Sequence, residues 1–134
     1  MDDLIKNQEL KREKEGRKPF WLHPNIIVKV MNKELAKGKY FKQKGLVKEV
    51  IDKYVALVEM LEDGTKIKID QQDIETVIPN VGGTVLIVNG AYRGETAVLQ
   101  SLEIEKFKAV VQIDKGPHRG HSLEKEYEDV CKLN

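Results

Sequence analysis

GLVKEVIDKYVALVEMLEDGTKIKIDQQDIETVIP, Gly45 to Pro79, is the stretch whose reading decides the fold. GLVKEVID (Gly45 to Asp52) and YVALVEML (Tyr54 to Leu61) alternate apolar and polar residues, the signature of half-buried strands. The Asp52-Lys53 corner between them allows a hairpin. EDGTKIKID (Glu62 to Asp70) follows, with Asp63-Gly64 expected as a two-residue turn. IETVIP (Ile74 to Pro79) closes the run, and Pro79 ends it. With the β-branched IIVKV (Ile26 to Val30) upstream, five short strands fall in under 60 residues. That spacing predicts a small antiparallel barrel.

Working outward, the same layout recurs. TVLIV (Thr84 to Val88), AVLQSLE (Ala97 to Glu103) and FKAVVQID (Phe107 to Asp114) read as strands, with Glu105-Lys106 as the second corner. KGPHRGHSLE (Lys115 to Glu124) holds a Gly-Pro turn, and DVCKL (Asp129 to Leu133) is a closing strand. DIETVIP and YEDVCKL put acidic residues before a Val-centred strand at matching places, so the chain reads as an internal duplication of one five-stranded barrel. PNVGG (Pro79 to Gly83) is a short turn-rich joint, so the two barrels should touch. Each barrel of about 55 residues would be marginal alone. Phe20, Trp21, Leu22 and Tyr40 are expected to form the first core or a shared interface. Residues 1–18 are polar; Glu9, Lys11, Arg12, Glu13, Lys14 and Glu15 suit a solvated helix ended by Pro19. The expected organisation is a polar linker or helix at 1–19, a first barrel at 20–79 and a second at 80–134, cut from a longer protein.

The bulk numbers mainly exclude. Of 134 residues 34% are charged, yet the net charge is +1, so only the distribution of charge can point to a polyanion. A single cysteine, Cys131, excludes an intrachain disulfide and a cysteine-rich metal site, and suits a reducing compartment. Cys131 reads as a small buried apolar residue. No apolar run approaches the roughly 18 residues of a membrane helix, and the first residues lack the apolar core of a signal peptide. His118 and His121 are three apart in GPHRGH without a third ligand nearby, so no metal is expected, and Arg119 belongs to a basic turn. No nucleophile triad, phosphate-cradling glycine loop or paired-carboxylate pattern is present. An enzyme is not expected, nor is a cofactor.

VNGAYRGET, Val88 to Thr96, is more than a turn. Its glycines allow positive φ, Arg93 can pair a phosphate through two parallel N–H bonds, and Tyr92 can stack on an unpaired base. This loop resembles the KOW motif of ribosomal proteins and elongation factors, with Ala97 where the usual pattern has a later glycine. WLHPNIIVKV, the Gly45–Pro79 stretch, VLIVNGAYRG and YEDVCKL, in this order, resemble the C-terminal region of the Kin family of nuclear DNA/RNA-binding zinc-finger proteins, over nearly all of residues 20 to 134. The resemblance implies an all-β tandem of two Src-homology-3-like five-stranded barrels, with the KOW motif in the second and a zinc finger and winged-helix region upstream. It implies a nuclear location and roles in DNA replication, DNA repair and RNA processing. It also implies that Lys44 and Lys132 contact nucleic acid from a groove between the barrels.

The charge distribution agrees with a polyanionic partner. From Lys29 to Lys48 there are seven lysines and one acid, Glu34, with Tyr40 and Phe41 among them. MNKELAKGKYFKQKG is the long first loop of barrel one, matching the Val88–Glu95 loop in position. A local excess of this kind suits phosphate contact. The expected contacts are Lys42, Lys44, Lys132, Arg93 and Arg119 on phosphate, with Tyr92 or Tyr40 stacking. RNA is the expected partner, or single-stranded or curved DNA, bound by a monomer with weak sequence preference. The rival reading is a module that docks a nuclear protein, through an apolar groove near Tyr92 and Trp21, insensitively to salt.

Overall fold

The computed structural model describes residues 10–134. The expectations that rest on Glu9 and the residues before it lie outside that range. Barrel one has strands β1 (Ile27–Val30), β2 (Lys44–Asp52), β3 (Val55–Met60), β4 (Lys66–Asp70) and β5 (Ile74–Thr76). Barrel two has β6 (Thr84–Ile87), β7 (Thr96–Glu103), β8 (Lys108–Ile113), β9 (Ser122–Glu126) and β10 (Val130–Lys132). The strand orders, β4-β3-β2-β1-β5 and β10-β6-β7-β8-β9, are the same order read from opposite ends. All pairings are antiparallel. A 3-10 turn precedes the last strand in each half, Gln71–Asp73 and Tyr127–Asp129.

Alternation explains most of these strands. On β3, Ala56, Val58 and Met60 point inward and are at most 1% exposed, while Val55, Leu57 and Glu59 lie between. On β8, Ala109, Val111 and Ile113 do the same. The run Val85–Val88 obeys a different logic, because every one of its residues is buried. Val85 and Ile87 enter the core of barrel two, while Leu86 and Val88 enter that of barrel one. Its neighbour β10 repeats the split, Val130 facing one core and Cys131 the other. A two-stranded ribbon with both faces covered therefore fuses the barrels, which is why it is continuously apolar. Ile26 bridges to Leu133, and Lys132 N–H donates to the Val77 carbonyl, completing the seam.

Two local expectations need correction. The β3–β4 connection is a five-residue loop, residues 61–65, not a two-residue turn. Met60 N–H donates to Thr65 O, Gly64 N–H donates back to Met60 O, and Asp63 Oδ1 accepts from Thr65 N–H. Gly64, with φ of +74°, takes the left-handed position that closes such a loop. The polar segment before barrel one is helical over residues 10–16, but it is no free linker: it lies on barrel two.

Candidate nucleic-acid interface

In barrel one the loop between β1 and β2 is held at its base by Lys42 N–H on Val30 O (2.7 Å) and Val30 N–H on Gln43 O (2.9 Å). Asn32 Oδ1 accepts from the Glu34 and Leu35 N–H groups and starts the first bend. Ala36, Lys37 and Lys42 take positive φ along with Gly38, and together they turn the chain outward. Lys33, Lys37, Lys42 and Lys44 are exposed. Among the described residues, Lys39 pairs with Asp63 (3.5 Å) and Lys48 with Glu59 (3.7 Å), whereas Lys33, Lys37, Lys42 and Lys44 have no carboxylate partner. The register sets Lys44 directly across from Lys29, a like-charge cross-strand pair, with Glu75 on the other side of Lys29. Like charges in that position are mildly destabilising unless an anion sits over them.

Tyr40 does not take the stacking position expected for it. It is 5% exposed and part of the first core, its hydroxyl on Asp63 at 3.3 Å. The neighbouring Phe41 is half-buried, with the Lys33 and Lys42 ammonium groups 5.3 and 5.4 Å from its ring centre. Phe41 is thus the aromatic that the lysine loop presents. The sequence contained it beside Tyr40, but the two could not be ranked before the direction of the chain was known.

The matching loop of barrel two, Val88 to Glu95, is occupied from inside the chain. Arg93 donates from Nε to Val88 O (3.0 Å) and from Nη2 to Phe20 O (2.9 Å), and its guanidinium lies 4.7 Å over the Phe20 ring. Burial pushes its pKa down. Tyr92 is walled by His118 and His121, at ring-centre distances of 5.0 and 5.2 Å, and by the Arg12 guanidinium at 5.0 Å. His118 Nδ1 lies 3.1 Å from Glu95. Asn89 reads the Lys18 backbone in both directions, accepting from its N–H (2.8 Å) and donating to its carbonyl (2.9 Å). Gly90 N–H donates to Gly16 O, and Ala91 N–H to Glu13 Oε2 at 2.8 Å. Gly90 has φ of +77°, and a Cβ there would lie 2.6–2.7 Å from Glu13, Arg17 and Lys125.

Charge closes the same contact. Arg17 forks onto both oxygens of buried Asp129 (2.7 and 2.8 Å) and also meets Glu13. Hydrogen bonding to Asp129, then to Glu13, raises the Arg17 pKa against its partial burial. Lys125 is 4% exposed; it donates to Ala91 O at 3.2 Å and lies 3.7 Å from Glu13. Burial lowers its pKa, partly offset by Glu13 and Asp129. For Glu13, burial acts upward, but the Ala91 N–H, Arg17 and Lys125 together bring its pKa below the ordinary value.

Lys132 lies on β10 across from Val85, its side chain directed opposite to that of Cys131, and is half-buried. One crevice between the barrels is lined by Glu75, Glu128, Asp129, Arg17 and Trp21, so it is acidic rather than basic. A second cleft holds Lys18, His23, Trp21 and Arg93. Neither is lined by Lys44 or Lys132. Arg119 is exposed on the β8–β9 loop, next in sequence to His118, whose ring packs on Tyr92. Cys131 is 0% exposed, donates from Sγ to Ile27 O, and burial pushes its thiol up to about 12, so it is not a nucleophile. Among the described residues no group of three or more His, Cys, Asp or Glu is placed to hold a metal.

Comparison with known proteins agrees with the two-barrel architecture. Residues 17–70 match the KN17 SH3-like domain and residues 79–134 the KIN17 C-terminal SH3 domain. The chain is 53% identical over 134 residues to a KIN17-like protein of Oryza sativa subsp. japonica, covering 99% of this chain and 31% of that protein. It is 52% identical to a KIN17-like protein of Arabidopsis thaliana (99% and 33%) and 44% identical to the DNA/RNA-binding protein KIN17 of Homo sapiens (99% and 34%). The chain thus spans about a third of the length of these relatives. Two consecutive SH3-like barrels fused along β6 and β10, matched domain by domain and along nearly the whole chain, place it in the KIN17 family.

Proposed function

We propose that this tandem is a nucleic-acid-binding module, not an enzyme, and that the lysine loop of barrel one is its principal phosphate-contacting surface. The carrying observation is the contrast in ion pairing: among the described residues Lys33, Lys37, Lys42 and Lys44 are exposed without carboxylate partners, and Lys33 and Lys42 flank the Phe41 ring. Lysines so placed neutralise phosphates and release counterions, and Phe41 offers a face to an unpaired base. The names of the human and mouse relatives, DNA/RNA-binding protein KIN17, support the same reading. Lys44 continues the loop onto β2 and Lys132 extends the contact to barrel two. Arg119 is a peripheral contact. In this reading Tyr92 and Arg93, the KOW-like pair, serve mainly to join the N-terminal segment to barrel two.

The partner is RNA, or single-stranded or curved DNA, bound with little base specificity, since backbone contacts carry no sequence information. The parent protein acts in the nucleus, in DNA replication, DNA repair and RNA processing. The test is fluorescence anisotropy with labelled poly-U, poly-G and duplex DNA at two salt concentrations. Binding to a homopolymer should weaken steeply with salt, and Lys44→Glu with Lys132→Glu should abolish it while circular dichroism stays unchanged. Salt-insensitive binding, or binding untouched by the double reversal, would overturn the site.

A further inference from the structure

The duplication offers an internal template. In barrel one the corner before β3 and the 3-10 turn before β5 meet, Gln71 N–H donating to Tyr54 O at 2.8 Å. This platform holds the chain's own segment Pro19–Trp21, which bends at Pro19. Gln71 accepts from Trp21 N–H (3.2 Å) and donates to Pro19 O (2.8 Å), and Phe20 packs edge-on against Tyr54, 6.1 Å between ring centres. Lys53 lies 5.2 Å over the same Phe20 ring.

Barrel two builds the same platform. Tyr127 N–H donates to Phe107 O at 3.3 Å, and the two rings meet edge-on at 6.3 Å. Tyr127 itself makes one edge contact on Phe107, but among the described residues no separate chain segment lies there as Pro19–Trp21 lies on barrel one. Phe107 is 68% exposed and Ile104 71%, with Leu102 beside them on the same hairpin. Phe107 also takes φ of +55°, a conformation in which a bulky aromatic is uncommon and Asn or Gly would be cheaper. On the same hairpin and the strand beside it, Glu103, Glu105 and Glu126 stand against Lys106, which pairs with Glu103 at 3.5 Å, and Lys108, which lies across from Glu103 and Glu126.

We propose that the Phe107–Tyr127 face of barrel two docks a short, basic peptide segment carrying an aromatic residue, supplied by a partner protein. The occupied twin defines the guest, a short segment whose main chain meets the turn residue and whose one aromatic ring is set edge-on against the corner residue. The glutamate rim defines its charge and disfavours nucleic acid on this face. Tyr127 replaces the Gln71 amide, so the guest is held by ring contacts and charge with fewer main-chain hydrogen bonds, and exchanges quickly.

The experiment is an NMR titration of the isotope-labelled full chain with the peptide GRKPFWL, the sequence of residues 16–22. Amide shifts should move saturably at Ile104, Phe107 and Tyr127, less so in high salt, and a peptide with Arg and Lys replaced by Glu should move them little. Phe107→Asn tolerates the left-handed backbone, so its melting temperature should hold or rise while peptide affinity drops about tenfold, as for loss of an aromatic anchor. The proposal is overturned by absence of shifts at those residues up to millimolar peptide, by equal binding of the acidic peptide, or by full affinity of Phe107→Asn. It is equally overturned if poly-U moves the same signals, or if they move with protein concentration alone, which would make the face a nucleic-acid site or a self-contact.

Discussion

The loops of residues 31–43 and 88–95 occupy the same place in the two barrels and have opposite fates. The first carries its cations outward, without carboxylate partners for Lys33, Lys37 and Lys42 among the described residues. The second turns its polar groups inward: Arg93, Asn89, Gly90 and Ala91 all bond to residues 13–20 or to their own loop. One copy of the barrel thus keeps its loop for the solvent, and the other uses it as a seat for the polar segment. A charged aromatic loop therefore has no fixed role. What decides is whether other elements of the chain reach it first.

Breaking the seat should have the largest effect. Arg17→Ala leaves the Asp129 carboxylate buried without its bidentate partner. Arg17 is half exposed and Lys125 remains nearby, so the expected loss is about 2–3 kcal/mol, at or below the lower end for a broken buried pair. Urea denaturation measures it. Gly90→Ala comes next, since it adds both a strained φ and a clash with Glu13, Arg17 and Lys125; about 2 kcal/mol is expected, with faster tryptic cleavage between Lys11 and Lys18.

Acid should separate the loops more gently. The Glu13 pKa is lower in the folded protein than its ordinary value of 4.5, so its contribution is complete above that value and is lost as pH falls through the lowered pKa. Amide exchange of residues 10–18 should rise in that range while the barrel-one loop, which Glu13 does not touch, keeps its exchange pattern. Glu13→Gln should remove the acid step and cost about 1 kcal/mol at neutral pH, the scale of a single partly exposed hydrogen bond to a charged group. The smallest effect belongs to the first loop: Lys37→Gln should change stability by less than about 0.5 kcal/mol, since nothing in the fold leans on its charge.

The strands and their duplication were legible because they rest on alternation, which is local. The fused ribbon was legible as strands but not as a seam: TVLIV shows that both faces are apolar, not that two different cores claim them. The seat of the N-terminal segment was not legible at all. Arg17 and Asp129 are 112 positions apart, and nothing in KREKEGRK distinguishes a solvated helix from one that pairs with a buried carboxylate. Tyr40 and Phe41 differ only in which way the chain faces after a run of positive-φ residues, and neighbours on such a bend exchange inside for outside. The lysine run was visible from the local order of residues, but which of its lysines stay unpaired was not, since Lys39 and Lys48 meet Asp63 and Glu59 from distant positions.

The most direct test of the account is the salt dependence of poly-U binding for two variants. One is Lys33→Gln with Lys37→Gln and Lys42→Gln in barrel one; the other is Arg93→Gln in barrel two. With about 0.7 of slope per phosphate contact on a single strand, the first variant should flatten the plot of log affinity against log salt by about 2. The second should leave the slope unchanged. An unchanged slope in the lysine variant, together with lost binding in Arg93→Gln, would move the interface to the second loop and contradict the assignment.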